Sequence, residues 1–209
     1  ERMYLRCANL NKNNKMISIE VCASTINSVI AASEGGAVRV ELCDNLSEGG
    51  TTPSLAMIEK SLEVKGICTF VLIRPRSGDF VYSDVEFEIM KKDIEYCGKA
   101  GCHGVVFGVL DKNNRIDMVR NKELQAIAKS YNMETTFHRA FDRLENLEEG
   151  LEEVVSIGCD RILTSGGMPT ALQGKEVIRK LILQSKGRVT ILAGSGMSEN
   201  NVKEFIQDL

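Results

Sequence analysis

Ile17-Ser18-Ile19-Glu20-Val21-Cys22 and Val38-Arg39-Val40-Glu41-Leu42-Cys43 are the two stretches on which the fold turns. Both alternate with period two. One parity is wholly aliphatic; the other carries charge and ends in cysteine. Alternate residues of a strand face opposite sides. Each run therefore reads as a strand with one greasy face and one face bearing Glu20 or Glu41, with a thiol, Cys22 or Cys43, at its end. A helix-patterned stretch separates the two, which is enough for a crossover between parallel neighbours. Two thiols and two carboxylates are then expected to converge at one end of the sheet.

The same alternation of strand and helix runs outward through the chain. Further strands are predicted over 69–74, 104–107, 134–138, 160–163 and 188–193. Helices are predicted over 25–34, 54–64, 84–99, 117–131, 145–157, 171–186 and 198–207. Ser54, Asp84 and Ser198 read as helix starts, and Gly35-Gly36 and Gly101 as stops. Repeated β–α units without a linker define one α/β domain with a parallel sheet. An open doubly wound sheet has apolar central strands. Here Glu20, Arg39, Glu41, Arg74 and His138 lie in strands or at their ends, so a TIM (β/α) barrel with a polar interior face is favoured.

Seven β–α units are recognisable, and an eighth strand is missing from the sequence given. Three readings follow: a shortened chain, an open barrel, or Met3-Tyr4-Leu5-Arg6-Cys7 covering the gap as an edge strand. Residues 1–15 read as an N-terminal extension foreign to the domain, with Met16 a candidate internal start. Residues 16–209 read as a single barrel domain, short at its C-terminal end.

The 209 residues are 43% hydrophobic and 26% charged, as in soluble globular domains. A net charge of −3 offers no basic field for nucleic acid. No apolar run approaches the ~18 residues of a membrane span, and residues 1–15 do not resemble a secretory signal. The seven cysteines are irregularly spaced, without a CxxC pair. That pattern suits free thiols in a reducing cytoplasm. Cys68, Cys97 and Cys159 read as structural, and Cys7 falls in the extension.

In a barrel, chemistry gathers at the C-terminal ends of the strands. Those ends supply Cys22 and Cys43, and Glu20, Glu41, His138 and Asp142 as candidate acid–base groups. Arg74, Arg76 and Arg139 are candidate anion clamps. The glycine-rich turns at Ser165-Gly166-Gly167 and Gly194-Ser195-Gly196 are candidate anion-binding amides. The bland alternatives are an internal ion-pair network, tight turns, and cysteines that merely fill volume.

The order of these motifs resembles the CutC copper homeostasis family. The resemblance is carried by EVC at 20–22, VELC at 40–43, SEGGTTPS at 47–54 and IRPRSGDFVYSDVEFEIMKKDI at 73–94. GVVFGVL at 104–110, TFHRAFD at 136–142, RILTSGG at 161–167 and ALQG at 171–174 complete it. The family's last strand, with its "FHCSA"-like end, has no counterpart. The resemblance implies a cytosolic TIM barrel that self-associates and handles copper, with Cu(I) bound by the two cysteines matching Cys22 and Cys43. Soft thiolates suit Cu(I), for which two ligands suffice, whereas zinc wants four, or three and a water. The alternative expectation is an enzyme of unknown reaction on a small phosphorylated or carboxylated metabolite. It would use His138 with Glu20 or Glu41 for protons, and the arginines and glycine-rich turns for the anion. A ligand-free scaffold barrel is a third.

Overall fold

The two alternating runs form β2 (Ser18–Ala23) and β3 (Arg39–Leu42), parallel neighbours in which Glu20 lies opposite Arg39 and Cys22 opposite Glu41. The computed structural model describes residues 2–7, as backbone, and 18–207. Parallel pairing continues through β4 (Cys68–Leu72), β5 (Gly104–Phe107), β6 (Glu134–Phe137), β7 (Arg161–Thr164) and β8 (Thr190–Ala193). Helices α1 (Ile26–Glu34), α2 (Leu55–Leu62), α3 (Asp84–Ala100), α4 (Met118–Ser130), α5 (Leu147–Ile157) and α6 (Lys175–Ser185) cross between them, and α7 (Val202–Gln207) follows β8.

Closure is the main departure from the sequence reading. Arg2–Cys7 forms a further strand, β1, antiparallel to β2 on one side and β8 on the other. Leu5 is shared, opposite Ile19 and Ala193. The barrel is closed by seven parallel strands and one reversed strand. The gap left by the missing parallel strand is thus covered by the segment Met3–Cys7, the third of the readings above. Residues 2–7 belong to the barrel wall rather than to an extension, while 8–15 lie outside the described residues.

Helix boundaries follow local chemistry. Ser54 caps α2 by accepting from the Met57 amide. The start of α3 is a capping box: Ser83 accepts from the Glu86 amide and the Glu86 carboxylate accepts from the Ser83 amide. Ser83 is therefore the cap, and Asp84 stands in the first turn, where its charge favours the helix dipole. The last helix starts at Val202 instead of Ser198, because 198–201 form a turn in which Asn201 accepts from the Ser198 amide.

The parity argument holds for side chains. Val40, Leu42, Val71, Val105, Phe107, Phe137 and Ile162 pack outward against the helices in the main core. The other parity points into the barrel, where Cys22, Cys43, Phe70, Leu72, Val106, Leu163 and Leu192 form a small second cluster. At the lower end of that interior, Arg39 donates to Glu20, and Arg161 donates to Glu134 at 2.6 Å. Both guanidiniums lie over the Phe70 ring, 4.3 and 5.0 Å from its centre. Burial lowers the Arg39 pKa; Glu20 opposes that shift and the neighbouring Arg161 adds to it. These charges pair beneath an apolar plug, while Arg39 Nε and the Nε and Nη1 of Arg161 find no hydrogen-bond partner among the described residues.

Candidate functional site

Cys22 and Cys43 meet above that plug. Their Sγ atoms are 3.3 Å apart, in a non-bonded contact of free thiols. Both residues are almost fully buried, at 2% and 1% exposure. The Cys22 thiol also reaches a Glu41 oxygen at 3.9 Å, and the Cys43 thiol the Ala23 carbonyl at 3.8 Å.

The loop after β3 roofs the pair. Asp44 and Thr51 close its base with paired backbone hydrogen bonds. Gly50 then rests on Cys43. A Cβ there would stand 3.7 Å from the Cys43 sulfur and 2.7 Å from a Leu72 methyl, and the backbone has φ +92°. Only glycine serves at such a position. Arg74 holds the roof down: its guanidinium donates to the carbonyls of Glu48 at 3.1 Å, Gly50 at 2.7 Å and Gly78 at 2.8 Å. A residue expected to clamp an anion is chiefly a strut between two loops.

Beside the thiols, at the barrel mouth, lies a cavity of about 620 Å3. Glu41, Leu72, Leu163 and His138 line its inner part, and Glu48, Phe80, Arg139, Asp142 and Arg143 line it nearer the loops. His138 is 4% exposed and packs against Phe80, with ring centres 4.8 Å apart and the rings tilted by 52°. Its Nδ1 accepts from the Ala140 amide at 3.2 Å, which assigns the proton to Nε2. Desolvation, reinforced by Arg74, pulls its pKa down to about 3. His138 is thus neutral at physiological pH, with a basicity below that of the ordinary imidazole on which the acid–base expectation rests.

Asp142 accounts for the glycine-rich turn after β7. Its carboxylate accepts from the Ser165 amide at 3.1 Å, the Gly167 amide at 3.0 Å, and the Thr164 hydroxyl. Arg139 donates to the same carboxylate at 2.9 Å and to the Ser165 hydroxyl at 2.9 Å. The Gly166 amide goes to the Thr164 hydroxyl at 2.9 Å. The amides at Ser165, Gly166 and Gly167 that looked ready for an external anion are occupied from within.

Other expected site residues lie elsewhere. Glu20 is one layer lower, paired with Arg39. Arg76 binds Glu86 at 2.6 Å and Asp79 at 2.9 Å, tying the 75–83 loop to α3 away from the cavity. Gly194 donates to the Thr164 carbonyl in the strand ladder, and neither it nor Gly196 lines the cavity. The sequence reading missed Phe80, against which His138 and Arg74 both pack. An aromatic in the loop after a strand was the available signal. It also missed Arg143 and Glu48 as lining groups.

Fold and site together define a (β/α) barrel with a buried dithiol under the loop after β3 and a polar cavity at its mouth. The chain belongs to the CutC family, whose model matches residues 17–209. A CutC family protein of Xylella fastidiosa (strain 9a5c) is 47% identical over 187 residues, 90% of this chain and 69% of that protein. One from Bacteroides fragilis (strain YCH46) is 48% identical over 184 residues, 88% of this chain and 72% of that protein. A crystal structure of CutC from Streptococcus agalactiae, described as a candidate copper homeostasis protein, superposes with TM-score 0.83 at 32% identity. It covers 90% of this chain and 92% of that one. An aldolase barrel, at TM-score 0.61 and 15% identity, shares the fold alone.

Proposed function

We propose that this protein serves copper homeostasis by holding Cu(I) between Cys22 and Cys43. The observation that carries the reading is the 3.3 Å contact of two buried thiols at one end of adjacent parallel strands. Soft sulfur in a water-poor setting suits Cu(I), and no group of three or more potential His, Cys, Asp or Glu ligands occurs among the described residues. Two sulfurs satisfy Cu(I) but not zinc. A linear S–Cu–S arrangement spans roughly 4.6 Å, twice a ~2.3 Å metal–sulfur bond, so the pair opens by about 1.3 Å from its 3.3 Å contact on loading. Rotation about one Cα–Cβ bond supplies that movement.

Loading releases the thiol protons. Glu41, already the acceptor for the Cys22 thiol, is the first oxygen in reach. The ion enters and leaves past the 44–51 loop, whose Gly50 covers Cys43. Copper is cargo in this scheme, and a reducing cytoplasm keeps the thiols available for it.

The test is an anaerobic titration of reduced protein with Cu(I) against a chromophoric chelator, alongside the Cys22→Ser/Cys43→Ser double variant. The wild type should take one tightly held Cu(I) and the variant none. Equal stoichiometry and affinity in both would overturn the proposal.

A further inference from the structure

The loop over the thiols is bonded largely to itself and held to the barrel by a buried arginine. We infer that residues 44–51 form a lid on the Cys22–Cys43 pair, that Arg74 is the positioning residue that latches it, and that opening of this latch sets how fast the thiols exchange copper. The inference deepens the dithiol reading and rests on it for the copper step alone.

Asp44 and Thr51 exchange both backbone hydrogen bonds, at 2.9 Å each, and close the neck of the loop. Beyond the neck the amides of Glu48 and Gly50 donate to the Asn45 carbonyl, at 3.0 and 3.1 Å. The Gly49 amide donates to the Leu46 carbonyl at 3.1 Å. Asn45, Gly49 and Gly50 all hold left-handed backbone, at φ +50°, +89° and +92°, which turns the chain sharply back on itself. A loop whose amides are paired within itself can lift about its neck as one body without stranding them. It is fastened to the barrel from two sides. Leu46 packs against the apolar cluster around the thiols, and the carbonyls of Glu48 and Gly50 accept from the Arg74 guanidinium at 3.1 and 2.7 Å.

The latch is anchored outside the lid. The Arg74 amide donates to the Thr52 hydroxyl and its carbonyl accepts from the Thr52 amide, both at 2.9 Å. Its guanidinium lies 5.0 Å from the centre of the Phe80 ring, meets the buried Tyr82 side chain, and donates to the Gly78 carbonyl at 2.8 Å. Hydrogen bonds from a charged donor are stronger than neutral ones. Parting the buried bond to Gly50 also leaves a carbonyl without a donor, which opposes opening. With Gly50 seated on Cys43, the thiols react only from the open state, at a rate proportional to its population. The guanidinium is therefore placed to govern the kinetics of the site while touching neither sulfur.

The test is residue-resolved alkylation of the full, reduced, copper-free chain with iodoacetamide, read as initial rates by peptide mass spectrometry. Cys97 and Cys159, buried elsewhere in the core, are internal controls. Arg74→Met, which keeps the bulk of the side chain without its donors, should speed Cys22 and Cys43 about tenfold and leave Cys97 and Cys159 at their wild-type rates. Leu46→Ala frees the lid from its other attachment and leaves the guanidinium in place. It should speed the same two thiols, and it guards against a folding defect in the first variant. Acceleration of all four thiols in step would mark global destabilisation and overturn the inference, as would unchanged Cys22 and Cys43 rates in both variants. Loaded with Cu(I), Arg74→Met should yield the ion to a chromophoric chelator about tenfold faster than wild type; an equal rate would overturn the gating of copper. The alkylation needs no metal, so the lid can fail while the dithiol binds copper, and can stand where it binds none.

Discussion

Replacing Asp142 by alanine should convert an internal anion site into an external one. The Asp142 side chain is 7% exposed and accepts from two backbone amides, the Thr164 hydroxyl and the Arg139 guanidinium. Not every lost contact costs the same. Arg139 is 34% exposed and rehydrates when its partner goes. The Gly167 amide, on an exposed residue, finds water. The Ser165 amide and Thr164 hydroxyl, both on fully buried residues, do not. Stranding a buried donor costs about 1–3 kcal/mol, so Asp142→Ala should destabilise the fold by about 3 kcal/mol. For a chain of this size that lowers Tm by about 6–12 °C. The vacated nest matches formate, which should restore up to about 2.7 kcal/mol at a hundredfold excess over its Kd. Asp142→Asn, which fills the space with an amide, should lose stability without regaining it from formate. Differential scanning calorimetry with and without formate decides the matter. A Tm within 2 °C of wild type, or a formate effect equal in wild type and Asp142→Ala, would refute the reasoning.

Arg39→Ala should cost about 3–5 kcal/mol in urea unfolding, because it takes the Arg39 partner from buried Glu20 and removes the stacking on Phe70. The Glu20→Leu/Arg39→Met double variant should recover most of that loss, since a buried ion pair is often replaceable by apolar groups of like volume. A second expectation concerns acid. The His138 pKa falls to about 3 in the fold against about 6.5 in the unfolded chain. Between these values the unfolded chain binds a proton that the native state refuses, so stability drops as pH falls through this window. The slope is about 1.4 kcal/mol per pH unit. Between pH 7 and pH 5 wild type should lose about 2 kcal/mol more than His138→Gln; parallel curves would count against a buried neutral imidazole.

Much of this architecture was legible because a strand's period of two is a strong signal. Alternation in 17–22 and 38–43 assigned Glu20, Cys22, Arg39, Glu41 and Cys43 to the interior, and all are at most 7% exposed. Parity fixes a face, however, and not a height. Glu20 and Cys22 share a face, yet two residues are nearly 7 Å along a strand. That step separates the arginine layer from the thiol layer, and only the register across strands reveals it. The short strand Arg2–Cys7 was weakly marked because it is reversed, no helix-patterned stretch ties it to a neighbour, and its partners lie at both ends of the sheet.

The glycine-rich turns show a different limit. Amides at 165–167 are arranged to receive negative charge, as the sequence suggests, but their occupant is a carboxylate more than twenty residues upstream. To those amides an internal aspartate and a bound phosphate present the same oxygens. Composition and spacing locate a demand for an anion; packing alone says who meets it. The same logic works in reverse at His138. Its type suggested proton transfer, whereas burial beside Arg74 leaves an imidazole that can only donate or accept a hydrogen bond in the neutral state. Because Nδ1 is already engaged and Nε2 is not, the residue's remaining chemistry is a single buried donor on the cavity wall.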